Sequence, residues 1–298
     1  MAAIEVRDLA IAYGEVRAVD GVTFDIAEGE FFGILGPNGA GKTTTLELIE
    51  GLRRPDRGEI RLLGENPWPR NPRLLPRIGV QLQASAYFER LTAREQIRTF
   101  AALYDVPVRR ADDWLERVGL SDKADARTED LSGGQAQRLA IACALVHEPE
   151  LVFLDEPTAA LDPQARRNLW DLLSGLNESG RTVVLTTHYM DEAEVLCDRV
   201  AIMDHGRILE LDSPAALVRG LDAPVHISVR GRLDVAEAET MPGVDAVSQD
   251  DGDTTLTTRA PAVVLTELAA RDSLDGVRVH GATLEDVFLQ LTGREYRA

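Results

Sequence analysis

The sequence predicts an α/β protein whose parallel core sheet is split by an inserted helical segment and followed by a small α+β tail. Three observations lead there. The unbroken apolar run 31–35 ends in a glycine-rich turn that passes directly into a helical pattern from Lys42. Strand-like runs return at 151–154, 182–186 and 199–203 with helical spacing between them, the alternation of a parallel sheet. Between these two blocks, residues 92–147 carry helical spacing of Leu, Ile, Val, Phe and Ala and no strand pattern.

Taken in order, 4–9 and 22–26 alternate apolar and polar residues, as half-buried strands do. The run 31–35 has no polar member and reads as a strand buried on both faces. Leu46 and Ile49, with a stop at Gly51, suit a helix of about two turns over 42–49. Strands are expected at 59–63 and 78–82, and four prolines within 66–76 make the stretch between them an irregular loop. Helices are expected at 92–103, 108–118 and 135–147, then at 163–178 and 190–197 between the later strands. Gly220 and Pro224 interrupt the pattern. Beyond them, strands at 225–229, 244–248, 254–258 and 277–279, with helices before Met241 and over 263–270, spell βαββαβ, a ferredoxin-like order. The expected domains are 1–220, with a helical subdomain at about 84–150, and 224–298.

Composition narrows the function. The 298 residues carry 50 acidic against 32 basic side chains, a net charge of −18. That excess repels a phosphate backbone, and no lysine/arginine run exceeds two residues, so general nucleic-acid binding is disfavoured. The longest apolar run, Leu139 to Val146, has eight residues and is far too short to span a membrane. Glu5, Arg7, Asp8 and Glu15 stand where a secretory leader needs an apolar core, so a cytoplasmic location is expected. Cys143 and Cys197 show no C-x-x-C spacing and point to neither a disulfide framework nor a zinc site. Apart from Lys123, Lys42 is the only lysine.

Three strings carry chemistry. Gly36-Pro37-Asn38-Gly39-Ala40-Gly41-Lys42-Thr43 fits G-x-x-x-x-G-K-[ST] between a buried strand and a helix N-terminus. Its glycines let backbone N–H groups curl around phosphate oxygens, Lys42 reaches the β and γ phosphates, and Thr43 can ligate Mg²⁺. The plain alternative is a glycine turn with an incidental lysine, against which the flanking strand and helix argue. Leu151-Val152-Phe153-Leu154-Asp155-Glu156 delivers two carboxylates at the C-terminal end of a buried strand, where α/β ligand sites form. Asp155 is then placed to hold Mg²⁺, and Glu156, projecting the other way, to polarise the water that attacks the γ-phosphoryl group. By itself such a strand is as readily a solvated strand end. Leu131-Ser132-Gly133-Gly134-Gln135 puts Ser132 at a helix N-cap with two glycines baring backbone N–H groups. In isolation it is a capped helix, and in company a second anion-binding helix terminus.

With the three strings in this order, the sequence resembles the ATP-binding cassette family, whose signature is the Leu-Ser-Gly-Gly-Gln string between the phosphate loop and the acidic strand. The resemblance covers about residues 1–220. It implies a P-loop NTPase cassette of mixed core sheet, antiparallel β subdomain and inserted helical subdomain, with ATP and Mg²⁺ as cofactors and ATP hydrolysis as the activity. It further implies adenine stacking by Tyr13, phosphate contacts from Gly36 through Thr43 and from Thr44, and contact of Gln83 with Mg²⁺ and the attacking water. Gln81 stands close enough to Gln83 in sequence to be confused with it. Ala159-Ala160-Leu161-Asp162 resembles a loop that crosses a dimer interface, with Asp162 among the ATP-binding residues and Ala160 where many members have serine or glycine. His188 resembles the histidine that hydrogen-bonds the γ-phosphate. Two cassettes are expected to dimerise head to tail around two ATP molecules. Each ATP would be held by the Lys42 loop of one chain and by Ser132, Gly133, Gly134 and Gln135 of the other. An integral membrane permease, encoded separately, would supply the membrane helices, with this chain on the inner face of the cell membrane.

The tail narrows the resemblance. Thr283-Leu284-Glu285-Asp286-Val287-Phe288-Leu289, followed by Leu291-Thr292-Gly293-Arg294, is similar to the closing motif of the drug-resistance exporters, the group that includes daunorubicin-export ATPases. It is also a plain amphipathic helix with Leu284, Val287, Phe288 and Leu291 on one face. The expected function is the ATP-hydrolysing subunit of an exporter of drugs or other hydrophobic compounds. A soluble ATPase that remodels ribosomes or nucleic acid is the alternative, but such cassettes resemble tandem chains or carry coiled-coil insertions, and this chain is strongly acidic. Glu156 and His188 argue against a third reading, a regulatory cassette that binds nucleotide without turnover.

Overall fold

The computed structural model describes residues 2–81, 88, 90–159, 161–230, 233–250, 253–271 and 273–293. The chain divides into two compact units, Met1–Pro214 and Ala215–Tyr296.

In the first unit, strands β1 (Ala2–Tyr13), β2 (Val16–Ala27) and later β4 (Arg57–Leu62) form an antiparallel sheet in the order β2-β1-β4. Its first two strands run well beyond the stretches that alternate in sequence. The reason is a bulge: Asp8 sits at φ 48°, the register slips between Val6 and Leu9, and pairing continues while the alternation is broken. Strand β3 (Phe31–Leu35) is buried throughout and leads through the glycine loop into helix α1 (Lys42–Ile49). Strand β5 (Ile78–Gln81) precedes the helical segment α2 (Ala93–Leu103), α3 (Val108–Arg117) and α4 (Gly133–Leu145). Thr92 caps α2 in a reciprocal box with Glu95, and Ala111, Trp114 and Leu115 form the buried face of α3. Strand β6 (Leu151–Asp155), helix α5 (Pro163–Glu178), β7 (Thr182–Thr187), α6 (Met190–Leu196) and β8 (Arg199–Asp204) resume the alternation. Strand β9 (Arg207–Asp212), which sequence reasoning missed, pairs antiparallel with β8. Its burial follows an edge strand rather than a core one, and four of its six residues are exposed.

Among the described residues the core sheet has the order β5-β6-β7-β3-β8-β9 and is parallel except at β9. Strands β3 and β6 are buried at every residue, as inner strands covered on both faces must be. The rings of Phe24 and Phe32 stack at 5.3 Å, tying the antiparallel sheet to the core sheet. A glycine is required at Gly79, where a Cβ would lie 2.3 Å from the carbonyl oxygen of Ala144 as α4 crosses β5. Both cysteines are buried and free.

The second unit holds helix α7 (Pro214–Gly220), which begins at the boundary, then β10 (Val225–Arg230), α8 (Val235–Ala238), β11 (Ala246–Asp250), β12 (Asp253–Thr258), α9 (Pro261–Ala270), β13 (Arg278–His280) and α10 (Leu284–Thr292). Its antiparallel sheet runs β11-β12-β10-β13, the strand order of a ferredoxin-like unit. Ile227, Val229, Leu256, Val264 and Leu268 centre its core. Strand β11 starts two residues later than the alternation indicates, because residues 241–244 close a turn from Met241 to Val244 before pairing begins at Ala246 opposite Thr257. Thr283 and Asp286 form a capping box at the start of α10, and Leu284, Val287 and Phe288 are its buried residues.

Candidate functional site

The phosphate-type loop joins β3 to α1. Gly41 lies at φ 102°, and a Cβ there would stand 2.2 Å from the carbonyl oxygen of Ala18, so this position admits glycine alone. The strained turn directs Lys42 inward, where its side chain is only 4% exposed. Its Nζ donates to the carbonyl oxygens of Gly36 at 2.8 Å and Pro37 at 3.2 Å and lies 3.4 Å from Glu156 Oε1. Burial pushes the Lys42 ammonium below its ordinary pKa, and the nearby Glu156 carboxylate acts in the opposite direction.

The carboxylates arrive on β6. Parallel register sets Asp155 opposite Thr186 of β7, and the Thr186 hydroxyl donates to Asp155 Oδ1. Thr43 Oγ1 donates to the same carboxylate at 3.1–3.2 Å. Burial raises the Asp155 pKa, and these two hydroxyls hold the rise back. Glu156 turns away by entering the left-handed region at φ 48°, held there by its N–H, which points at both the carbonyl and the hydroxyl oxygen of Thr186. Its carboxylate thereby stands between Lys42 on one side and His188 Nδ1, 3.3 Å from Oε2, on the other.

A cleft of about 630 Å³ opens in front of these groups, lined by the whole loop from Pro37 to Thr44 together with Tyr13, Val16, Arg17, Ala18, Glu156 and His205. Tyr13 presents its ring at the rim, 46% exposed, with the Arg53 guanidinium 5.6 Å from the ring centroid. The structure thus brings together Tyr13, the loop, Lys42, Thr43, Thr44, Asp155, Glu156 and His188. None of residues 132–135 lines this cleft. Ser132 is exposed at the N-cap of α4, where its Oγ accepts from Gln135 N–H and Gln135 Oε1 accepts from Ser132 N–H. Asp162 is likewise elsewhere, capping α5 by accepting from the N–H groups of Gln164 and Ala165. Gln83 and Ala160 lie outside the described residues. Gln81 is described, and its Nε2 donates to the Asp155 carbonyl at 3.4 Å. Sequence reasoning missed Thr186, Arg17, Val16, Ala18 and His205. A threonine closing a buried strand was the one available signal, for Thr186.

The residues suit a nucleotide with Mg²⁺. A hydroxyl and a carboxylate held 3.1–3.2 Å apart are hard oxygen donors of the kind that hold Mg²⁺ together with phosphate oxygens. Among the described residues no group of three or more His, Cys, Asp or Glu is arranged to hold a metal ion.

Known proteins resemble this chain in sequence and in fold. The family model described as ABC transporter matches residues 19–159. Nod factor export ATP-binding protein I of Paraburkholderia xenovorans (strain LB400) is 41% identical over 300 residues, covering 99% of this chain and 98% of that protein. A solved ATP-binding subunit of an ABC transporter is similar at TM-score 0.68 and 30% identity, over 74% of this chain and 93% of its own. A dimeric ATP-binding cassette in a post-hydrolysis state with ADP and Pi is similar at TM-score 0.65 and 30% identity, over 70% of this chain and 98% of its own.

Proposed function

The chain belongs to the ABC transporter family as an ATP-binding protein, and from that premise we propose that it powers export through a separate membrane permease. Hydrolysis of ATP is the activity of the cassette. The observation that carries the reading of the site is the line Lys42, Glu156, His188, with separations of 3.4 and 3.3 Å, of which Lys42 and Glu156 line the cleft.

In this reading the backbone N–H groups of residues 38–43 and the α1 N-terminus receive the phosphates. Lys42 exchanges its carbonyl partners for β and γ oxygens. Thr43 and Asp155 would hold Mg²⁺, which when bound neutralises charge developing on the phosphates. Glu156 accepts a hydrogen bond from the attacking water, and His188 donates to the γ-phosphate from the other side. Tyr13 offers its face to the adenine. Ser132 and Gly133, exposed, and Gly134, half-buried, lie away from the cleft and suit contact with the nucleotide of a second cassette. Gln83 follows β5 and is the proposed contact to Mg²⁺ and water.

Among the described residues no helix is long and apolar enough to cross a membrane, so transport requires a permease chain, and the place of action is the inner membrane face. The cargo we propose is a drug or other hydrophobic compound. The closing motif from Thr283 supports that class, and the relatives named for Nod factor export support export as the direction. The cassette is proposed over 1–220, and the second unit is proposed as an accessory domain over 224–298. Co-purification of tagged chain from native membranes tests the reading. The expected result is an integral membrane protein in stoichiometric amount that stimulates ATP turnover. Recovery of ribosomal or nucleic-acid proteins with no membrane partner would overturn export.

A further inference from the structure

Glu192 is fully buried at the start of α6, and three separate segments converge on its carboxylate. The Trp170 indole N–H, from α5, donates to Oε1 at 3.2 Å. The hydroxyls of Thr187, at the end of β7, and Thr158, in the loop that leaves Glu156, face the same carboxylate. Thr158 is itself fully buried, and neither its hydroxyl nor Glu192 Oε2 completes a hydrogen bond among the described residues.

Each segment leads to the reacting centre. The Thr187 hydroxyl oxygen accepts from Tyr189 N–H at 2.9 Å and so shapes the turn that carries His188. Tyr189 is clamped between the His188 ring at 4.1 Å and the Arg166 guanidinium at 4.2 Å. Thr158 lies two residues beyond Glu156, and its carbonyl accepts from Leu161 N–H to set the loop toward Asp162.

We propose that Glu192 is a positioning residue for ATP hydrolysis, a buried brace that ties the Glu156 loop, through Thr158, to the His188 turn, through Thr187. A carboxylate suits the task because its two oxygens accept from several donors at once. Burial pushes the Glu192 carboxyl above its ordinary pKa, and the neighbouring Thr187 and Thr158 hydroxyls, the Trp170 N–H and the Arg166 charge oppose that rise. The inference rests on the roles given above to Glu156 and His188.

The test is steady-state ATPase kinetics on the full chain carrying Glu192→Gln, Trp170→Phe or His188→Ala, singly and with the first two each combined with the third, alongside melting temperature and nucleotide affinity. Trp170→Phe removes one hydrogen bond and keeps the ring, so it remains informative if Glu192→Gln fails to fold. Expected is a fall in kcat of roughly ten- to a hundredfold, the scale of misplacing a reacting group, with KM and nucleotide affinity little changed. In the His188→Ala background the same substitutions should cost clearly less than in the wild type, because the part of their effect that acts through His188 is already lost. Unchanged kcat, or losses that add fully to that of His188→Ala, overturns the inference. Absence of Glu156-dependent turnover in the wild type would overturn the underlying reading instead.

Discussion

Lys42 and Glu156 face each other at 3.4 Å with side chains only 4% and 10% exposed, so the charge proposed to bind phosphate and the charge proposed to activate water share one nearly dry pocket. Each partly compensates the burial of the other. In the proposed reading, a phosphate arriving at Lys42 would take over as its counter-charge and leave the Glu156 carboxylate free to receive a water proton.

Glu156→Gln therefore separates the two tasks. Turnover should fall by about a hundred- to ten-thousandfold, the contribution of a general base. Nucleotide affinity should hold, because Lys42, Thr43 and Asp155 remain. Paired measurements of Pi release and fluorescent-nucleotide binding decide it, and equal loss of both would sink the assignment.

Lys42→Ala acts on binding. Losing charge-assisted hydrogen bonds to phosphate costs about 1.5–3 kcal/mol, which is roughly ten- to a hundredfold in Kd. Titration with a fluorescent ATP analogue measures this directly. Undiminished affinity would contradict the phosphate-loop reading.

Gly41→Ala tests the loop backbone. A methyl group 2.2 Å from the Ala18 carbonyl, on a residue at φ 102°, must displace the loop or the β2 segment beneath it. We expect a stability loss of about 1–3 kcal/mol, read by denaturant unfolding, together with loss of nucleotide binding. A variant as stable as wild type that binds ATP normally would show the loop to be more compliant than this geometry allows.

Ser132→Ala separates local from intermolecular roles. The lost cap should cost about 1 kcal/mol of stability. Nucleotide affinity at protein concentrations too low for dimers should be unchanged, since residues 132–135 line no part of the cleft. ATP turnover, measured where wild-type turnover rises with protein concentration, should drop. A fall in affinity of the dilute chain would argue against a site shared between two chains.

Glu50 supplies a stability prediction. It closes α1, 8% exposed, with neither carboxylate oxygen hydrogen-bonded among the described residues, and burial beside Asp155 pushes its pKa well above the usual 4.5. The folded state thus binds this proton more tightly than the unfolded state. Its contribution to stability is greatest below the unfolded pKa and is lost as pH rises toward the folded value. Glu50→Met should stabilise the protein by about 1–3 kcal/mol near neutral pH, and the gain should narrow as pH falls toward 4.5. Melting curves across pH provide the check, and a destabilised variant at neutral pH would show that the carboxylate has a partner.

Much of this was legible in sequence because the relevant physics is local. An unbroken apolar run such as 31–35 can only be a strand buried on both faces, and it is. A loop that must bare N–H groups to an anion needs glycines at fixed spacing before a helix, and Ser132 with Gln135 spells a capping box in four residues. These strings named Lys42, Thr43, Asp155 and Glu156, the family resemblance added His188, and the fold gathers all five at the ends of β3, β6 and β7. The edge strand β9 escaped because exposure on both faces leaves no periodicity to read, and the full length of β1 escaped because a bulge breaks alternation without breaking pairing.

Tertiary structure alone decided the rest. Thr186 bonds Asp155 across 31 residues of sequence only because the parallel register of β6 and β7 sets them side by side. Glu192, in a segment that reads as an ordinary acidic helix start, proves to be fully buried among Trp170, Thr158 and Thr187. Glu156 reaches both Lys42 and His188 because one left-handed residue turns it away from Asp155. Local patterns record which surfaces a segment must hide and which backbone turns it can make. Which distant side chain is met once those surfaces are hidden depends on strand register and helix packing, which are set by the whole chain at once.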